Sequence, residues 1–203
     1  MKYLALGDSY TIGEGVKTSE TWPYLLREKL TANGFNFDFP HVIATTGWTS
    51  KNLLDALAEQ QLTAEYDLVS LLIGVNNQYQ KLNFEIYKKE LPLLIEKSIK
   101  LSKKGCQGVF MVAIPDYSCT PFAQDKNPPL IRKELERYNE FAKNAAQKYN
   151  IKFYDIFNSS QQASHNNTLL TSDLLHPSGE MYIEWCQLIT KSMKFFKKII
   201  VHV

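Results

Sequence analysis

Short apolar runs, each ended by a glycine, a proline or a polar residue, recur along the chain. They are too short for helices and show no strict alternation with polar residues, which is typical of strands buried on both faces of a sheet. We therefore predict five strands, at residues 3–6, 41–44, 67–73, 109–114 and 152–156.

Between these runs, apolar residues return at the three- and four-residue spacing of a helix face. This spacing predicts a further helix around Leu53 and Leu57, and Pro92 predicts a kink, or two abutting helices, in the longest segment. Polar, proline-rich stretches predict long loops. The clearest helices are predicted at residues 22–30, 84–103, 130–149 and 181–196, and the long loops at 115–129 and 158–175.

Strands that alternate with helices indicate an α/β fold with a parallel sheet, because each parallel pair needs a crossover connection. The sequence shows no internal repeat, linker or low-complexity segment, so we expect residues 1–203 to form a single domain. In such folds, the sites lie at the carboxyl ends of the strands. The loops that follow the predicted strands are therefore the places to search for chemistry.

Composition narrows the class of protein. The 203 residues carry 23 basic and 21 acidic side chains, a net charge of +2, which gives no support to nucleic-acid binding. Three scattered cysteines form no disulfide framework, and they favour a reducing compartment. We find neither a signal segment nor an apolar stretch long enough to span a membrane, and we expect a cytoplasmic protein without stable membrane insertion. Nothing in the sequence decides the oligomeric state.

Three loops carry the residues of an acyl-transfer site. Ser9 follows the first strand, and it needs an adjacent base to become a nucleophile. His176, before the last helix, is the candidate base, and Asp173 is placed to orient its ring. The attacked carbonyl becomes an oxyanion that needs preorganised donors. The backbone N–H groups of Ser9 and Gly47 and the side-chain amide of Asn76 are the candidate donors.

These residues resemble the four sequence blocks of the GDSL/SGNH family of esterases and lipases. Ser9 lies in a Gly-Asp-Ser block, Gly47 fits the second block, Asn76 fits Gly-x-Asn, and Asp173 with His176 fits Asp-x-x-His-Pro. The resemblance covers nearly the whole chain. It implies a three-layer α/β/α sandwich similar to flavodoxin, with a five-stranded parallel sheet, and catalysis that needs neither a metal nor an organic cofactor.

Two positions depart from the family pattern. Tyr10 replaces the usual leucine of the first block, and Asn77 stands where an aspartate would follow Gly-x-Asn. Neither residue has a direct chemical role in the predicted reaction, so the departures concern the subfamily more than the activity.

Each motif alone also has a structural interpretation. Gly-Asp-Ser favours turns, Asp173 could cap a helix, and an asparagine after a strand tolerates a left-handed conformation. The Gly13–Gly15 loop lacks the remaining glycine of a dinucleotide fingerprint, and the histidines show no metal-ligand spacing. Taken together and in order, the motifs predict catalysis.

The leading hypothesis is a serine esterase that acts on a small-molecule acyl ester or thioester, such as a lysophospholipid. A carbohydrate O-acetyl esterase and a non-catalytic flavodoxin-like ligand-binding module remain as alternatives. Aromatic residues in the candidate loops, which could line an acyl pocket or simply pack beneath the loops, are Tyr10, Trp48, Tyr79 and Phe122.

Overall fold

The computed structural model describes residues 1–60, 62–63 and 65–193. All five predicted strands are confirmed, and each observed end lies within two residues of its prediction. The strands are β1 (Tyr3–Gly7), β2 (His41–Ala44), β3 (Leu68–Leu72), β4 (Val109–Val112) and β5 (Lys152–Tyr154).

The strands form one sheet in the order β2-β1-β3-β4-β5, and every pair is parallel. This is the strand order of flavodoxin-like folds, with β1 and β3 in the interior. Gly7, the last residue of β1, is level with Ala44 on one side and Leu72 on the other. The carboxyl ends of β2, β1 and β3 therefore open side by side at one edge of the sheet.

Eight helices surround the sheet in the described residues. α2 and α8 pack together on one face, while α3, α5 and α6 cover the other. The result is the predicted three-layer α/β/α sandwich. The helices are α1 (Ser9–Ile12), α2 (Trp22–Ala32), α3 (Ser50–Glu59), α4 (Val75–Tyr79), α5 (Phe84–Leu101), α6 (Pro128–Lys148), α7 (Phe157–Ser160) and α8 (Gly179–Met193).

Several helix predictions need correction. Helix α5 runs without a break through Pro92, so the two abutting helices predicted there are wrong. The 158–175 segment is not one open loop, because α7 and further short helical turns occupy part of it. Short turns also fold the segment that follows β4. The end of the last predicted helix, residues 194–196, lies outside the described residues.

Aromatic side chains fill both helical layers. On one face, Phe84 and Tyr87 of α5 pack against Tyr138 and Phe141 of α6, with ring centroids 4.7–6.1 Å apart. On the other face, Trp22 of α2 and Trp185 of α8 are fully buried. Within the described residues, no helix is both long and apolar enough to cross a bilayer.

Asn139 of α6 holds the end of β4. Its Oδ1 accepts from the Ile114 N–H at 2.8 Å, and its Nδ2 donates to the Ile114 carbonyl at 2.9 Å. Both backbone groups are buried beyond the last residue of the strand, where the sheet ladder no longer pairs them. The side chain therefore acts as a substitute strand partner at the edge that carries the candidate site.

We expect Asn139→Ala to lower the free energy of unfolding, because it leaves two buried backbone groups without partners, at a cost of about 1–3 kcal/mol for each group. Urea unfolding measures the effect. Asn144→Ala, on the exposed face of the same helix, is the matched control. Equal stability of the two variants would contradict the assigned role.

Candidate active site

A cavity of about 210 Å³ opens at the carboxyl edge of the sheet, between the loops that follow β1, β2, β3 and β4 and the loop before α8. It brings together Ser9, Gly47, Asn76 and His176, which the sequence places far apart. Its lining residues are Ser9, Tyr10, Thr46, Gly47, Val75, Asn76, Tyr79, Tyr117, Phe122, Leu175 and His176.

Ser9 is the first residue of α1, two residues after the end of β1. Asp8 caps this short helix by accepting the Tyr10 N–H at 3.1 Å. Ser9 itself is buried except for the side that faces the cavity, with 4% of its surface exposed. The chain thus turns from strand to helix at the point where the hydroxyl meets the pocket.

Asp8 is fully buried, and its Oδ2 has no hydrogen-bond partner in the part of the chain that the structure describes. Burial raises the pKa of Asp8 to about 8, although the backbone N–H groups of Tyr10 and of Asp8 itself act in the opposite direction. The carboxyl group is therefore largely protonated at neutral pH. A neutral Asp8 places no negative charge next to Ser9, where negative charge would oppose the formation of an oxyanion.

The loop before α8 fixes a carboxylate against an imidazole. Asp173 Oδ1 accepts hydrogen bonds from the backbone of Leu175 and His176, each at 2.9 Å, and from the Thr171 hydroxyl at 2.7 Å. Asp173 Oδ2 lies 2.6 Å from His176 Nδ1. Because Nδ1 faces this carboxylate, Nε2 is the ring nitrogen left for other partners.

Burial and hydrogen bonding act in opposite directions on the pKa of Asp173. Partial burial raises its pKa, but the hydrogen bonds from His176, Thr171 and Leu175 outweigh burial and lower the pKa to about 2. Asp173 is therefore ionised across the physiological range. A fixed negative charge at Nδ1 stabilises the imidazolium that forms when the ring accepts a proton.

Aromatic packing holds the imidazole from the other side. The Tyr10 ring lies 5.3 Å from the His176 ring and 6.5 Å from the Trp185 ring, and Tyr182 of α8 donates to the Tyr10 carbonyl at 3.0 Å. Helix α8 thereby packs against α1. Tyr10, the departure from the family pattern, acts here as the packing surface for the ring.

Three N–H groups at the cavity have no acceptor of their own. Within the described residues, the backbone N–H groups of Ser9 and Gly47 make no hydrogen bond. Asn76 uses one of its two Nδ2 protons to bond the Trp48 carbonyl at 3.0 Å, and the other has no acceptor in the described part of the chain. These are the three donors predicted for an oxyanion. Gly47 has a φ of +84°, a left-handed conformation that favours glycine.

The segment that follows β3 is hydrogen-bonded to the loop that follows β2. Besides the bond from Asn76 to Trp48, Gln80 Nε2 donates to the Gly47 carbonyl at 3.0 Å. Asn77 bonds both the backbone and the hydroxyl of Ser50, at 2.9 and 2.7 Å. The loop that carries one candidate donor is thus tied to the helix that carries another.

The aromatic residues divide between lining and support. Tyr79 and Phe122 line the cavity beside Tyr117, whereas Trp48 contributes its carbonyl to Asn76 and does not line it. A larger groove of about 870 Å³ lies beyond Tyr79 and Tyr117, which line both spaces. Tyr117 is held in place, because its hydroxyl donates to Gln78 at 2.7 Å.

The structure places all of the predicted site residues at or directly behind one cavity. The Ser9 hydroxyl makes no hydrogen bond to His176 within 3.5 Å, and such bonds often shorten only when substrate is bound. Sequence reasoning missed Gln80, Ser50 and Thr171, whose supporting bonds leave no pattern in the sequence. Within the described residues, no group of three or more His, Cys, Asp or Glu side chains could hold a metal ion.

A serine, an imidazole paired with a carboxylate, and the glycine and asparagine of the predicted donors line one cavity at the end of a flavodoxin-like sheet, which is the arrangement of the SGNH class of hydrolase fold. The chain belongs to the GDSL-like lipase/acylhydrolase family, whose family model matches residues 5–182. It is accordingly a hydrolase that acts on ester bonds. No curated protein sequence matches the chain.

Solved structures share the fold at low sequence identity. The structure of TesA matches with a TM-score of 0.75 at 18% identity, covering 96% of this chain and 98% of TesA. The lipase/acylhydrolase from Enterococcus faecalis matches with a TM-score of 0.72 at 20% identity, covering 96% of each chain. The acetylxylan esterase Axe2 from Geobacillus stearothermophilus matches at 0.69 and 19% identity, covering 94% of this chain and 92% of Axe2.

The low pKa of Asp173 gives a pH-dependent contribution to stability. Its value of about 2 in the folded protein lies below the ordinary value of 3.8, so the contribution is present above about pH 4 and is lost as the pH falls toward 2. Asp173→Asn should therefore be less stable than wild type at pH 6, and the difference should shrink between pH 4 and 2.

Urea unfolding at a series of pH values measures this difference. Asp55→Asn, which changes an exposed carboxylate on α3, is the control. Solvent screens Asp173 as well, because its side chain is 41% exposed, so the effect is smaller than for a buried pair. A difference that stays constant down to pH 2 would contradict the prediction.

Proposed function

We propose that this protein is a serine esterase for small acyl esters, with Ser9 as the nucleophile, His176 as the base and Asp173 as the residue that orients the base. One observation carries the proposal: a single cavity is lined by the Ser9 hydroxyl, the His176 imidazole and the three candidate oxyanion donors. Each of these groups answers one chemical need of ester cleavage.

In the first half of the reaction, His176 Nε2 accepts the Ser9 proton while Oγ attacks the ester carbonyl. The carbonyl oxygen becomes an oxyanion, which the N–H groups of Ser9 and Gly47 and the Asn76 amide stabilise. The imidazolium, stabilised by Asp173, then gives its proton to the leaving alcohol or thiol, and an acyl-Ser9 intermediate remains.

In the second half, water replaces the alcohol. His176 accepts a proton from this water, whose oxygen attacks the acyl carbon, and the same three donors stabilise the second oxyanion. The bond to Ser9 Oγ breaks, the imidazolium returns the proton to Oγ, and the carboxylic acid leaves.

The lining of the cavity favours a short acyl chain over an acetyl group alone. Val75, Leu175 and the rings of Tyr79, Tyr117 and Phe122 offer apolar surface beside Ser9. Lysophospholipids and thioesters remain within the proposed substrate class, because the groove beyond Tyr79 and Tyr117 has room for a larger group. We propose that residues 1–203 act as one catalytic domain.

A carbohydrate O-acetyl esterase is the second candidate. Its support is the exposed face of Tyr79, since aromatic rings also stack on sugars, together with the shared fold of the acetylxylan esterase Axe2. The small volume beside Ser9 also fits an acetyl group.

Ser9 should be the residue that a fluorophosphonate modifies, because it is the serine that shares a cavity with an imidazole and oxyanion donors. Mass spectrometry of the digested adduct locates the label. Ser9→Ala and His176→Ala should abolish labelling and ester cleavage.

Ser164→Ala, which changes an exposed serine outside the cavity, should react as wild type does. An adduct on another serine, or ester cleavage that persists in Ser9→Ala, would refute the proposed nucleophile.

The chain length of the preferred ester distinguishes the two candidate functions. Each methylene buried against the aromatic wall contributes about 0.8 kcal/mol, so kcat/KM should rise roughly fourfold per methylene over the first few carbons. A series of p-nitrophenyl esters from acetate to palmitate measures it.

Tyr79→Ala should flatten this rise in kcat/KM. Phe39→Ala, which removes an exposed aromatic ring just before the start of β2 and outside the cavity, should leave it unchanged. A series that peaks at acetate and falls with length would decide for the carbohydrate O-acetyl esterase.

A further inference from the structure

Asn77 lies at one end of a hydrogen-bond network that also contains Ser50 and Glu90 and that the reaction does not use directly. Asn77 and Ser50 are both fully buried, at the contact between α4 and the first residue of α3. Asn77 Oδ1 accepts from the Ser50 N–H at 2.9 Å, and Asn77 Nδ2 lies 2.7 Å from Ser50 Oγ. Ser50 Oγ in turn donates to a carboxylate oxygen of Glu90 on α5.

The direction of every bond in this chain is fixed by chemistry. A backbone N–H can only donate, so the atom of Asn77 that faces Ser50 N must be its oxygen, and the atom that faces Ser50 Oγ must be its NH₂ group. Ser50 Oγ therefore accepts from Asn77, and its own proton goes to Glu90. The amide at position 77 donates to the Ser50 hydroxyl and the carboxylate at position 90 accepts from it, so the two side chains complement each other.

An aspartate at position 77 would reverse this complementarity. It could still accept the Ser50 N–H, but it would bring no proton for Ser50 Oγ. The introduced carboxylate and that of Glu90 would then compete for one hydroxyl proton, and one buried carboxylate oxygen would lose its partner, which is unfavourable at low dielectric. Position 77 is the one at which the third block of this chain departs from the family pattern.

The hydrogen-bond network lies next to two of the candidate oxyanion donors. Asn76 is the neighbour of Asn77 on α4, and Gly47 lies three residues before Ser50. Gly47 has a left-handed φ, and its own position offers no packing, since nothing lies within 4 Å of an ideal Cβ there. The start of α3 is therefore an anchor for this loop.

We propose that Asn77 and Glu90, acting through Ser50, are a matched pair of positioning residues that set the distance between the Gly47 and Asn76 donors. The positioning role rests on the proposed esterase function. It requires that an aspartate at position 77 be tolerated best when position 90 offers a hydrogen-bond donor.

The test is a double-mutant cycle. Asn77→Asp should lower kcat for a p-nitrophenyl ester roughly 10–10²-fold with little change in KM, because misplaced donors weaken the transition state more than the bound substrate. Glu90→Gln alone should stay within about threefold of wild type, since its Oε1 can still accept the Ser50 proton. In the double variant the glutamine amide introduced at position 90 can donate to Ser50, and kcat should return to within about threefold of Glu90→Gln.

Two controls separate hydrogen bonding from charge. Glu90→Ala removes the competing carboxylate, which frees the Ser50 proton for the introduced aspartate, but it supplies no donor for Ser50 Oγ and leaves a void, so it should rescue Asn77→Asp only in part. Asn83→Asp makes the same chemical change at the exposed cap of α5, and kcat should stay at the wild-type value. Rescue by alanine as complete as by glutamine, or no loss in Asn77→Asp, would overturn the proposal.

Urea unfolding of the same variants tests the matched pair independently of esterase activity. Asn77→Asp should lower the urea midpoint, and Glu90→Gln should restore it more fully than Glu90→Ala does. If wild type cleaves no ester, the esterase proposal and the positioning role fall together, and the urea midpoints alone decide whether the matched pair exists. If wild type is active but the midpoints show no coupling, the matched pair is refuted.

Discussion

The level pairing of three parallel strands is the constraint on which the candidate site depends. Gly7 is level with Ala44 and Leu72, so the loops after β1, β2 and β3 leave the sheet at the same height. Each loop contributes one of the three candidate donors. A shift of β1 by one residue would turn the side chains of this strand to the opposite face and move Ser9 away from its neighbours. The register of a buried sheet thus fixes the geometry of a polar cavity.

The electrostatics of the cavity are asymmetric around Ser9. Burial keeps the Asp8 carboxyl, whose Oδ2 has no partner within the described residues, largely neutral next to Ser9. Hydrogen bonds keep Asp173 ionised on the side where an imidazolium would form. The two carboxyl groups differ because Asp8 is fully buried and accepts only backbone N–H groups, whereas Asp173 is partly exposed and accepts hydrogen bonds from His176, Thr171 and Leu175. Environment, and not residue type, decides which of them carries charge.

The strands, most helices and the location of the site could be predicted from the sequence because they depend on local patterns. Buried strands appear as apolar runs, and Ser9, Asn76 and His176 stand in short motifs next to strand or helix ends. The bonds of Gln80 and Glu90 could not be predicted, because they arise where separate elements meet. The prediction of two abutting helices at Pro92 is wrong, because α5 stays continuous despite the missing N–H.

The turn that contains both Asp173 and His176 has a mechanical consequence. The carboxylate is bonded to the backbone N–H groups of Leu175 and His176, so the ring and its orienting group belong to the same six-residue stretch, 171–176. Any displacement of this stretch carries the two side chains together. The distance between the imidazole and Ser9 can therefore change without breaking the bond between Asp173 and His176. A movement that admits a substrate leaves the proton on Nδ1 in place.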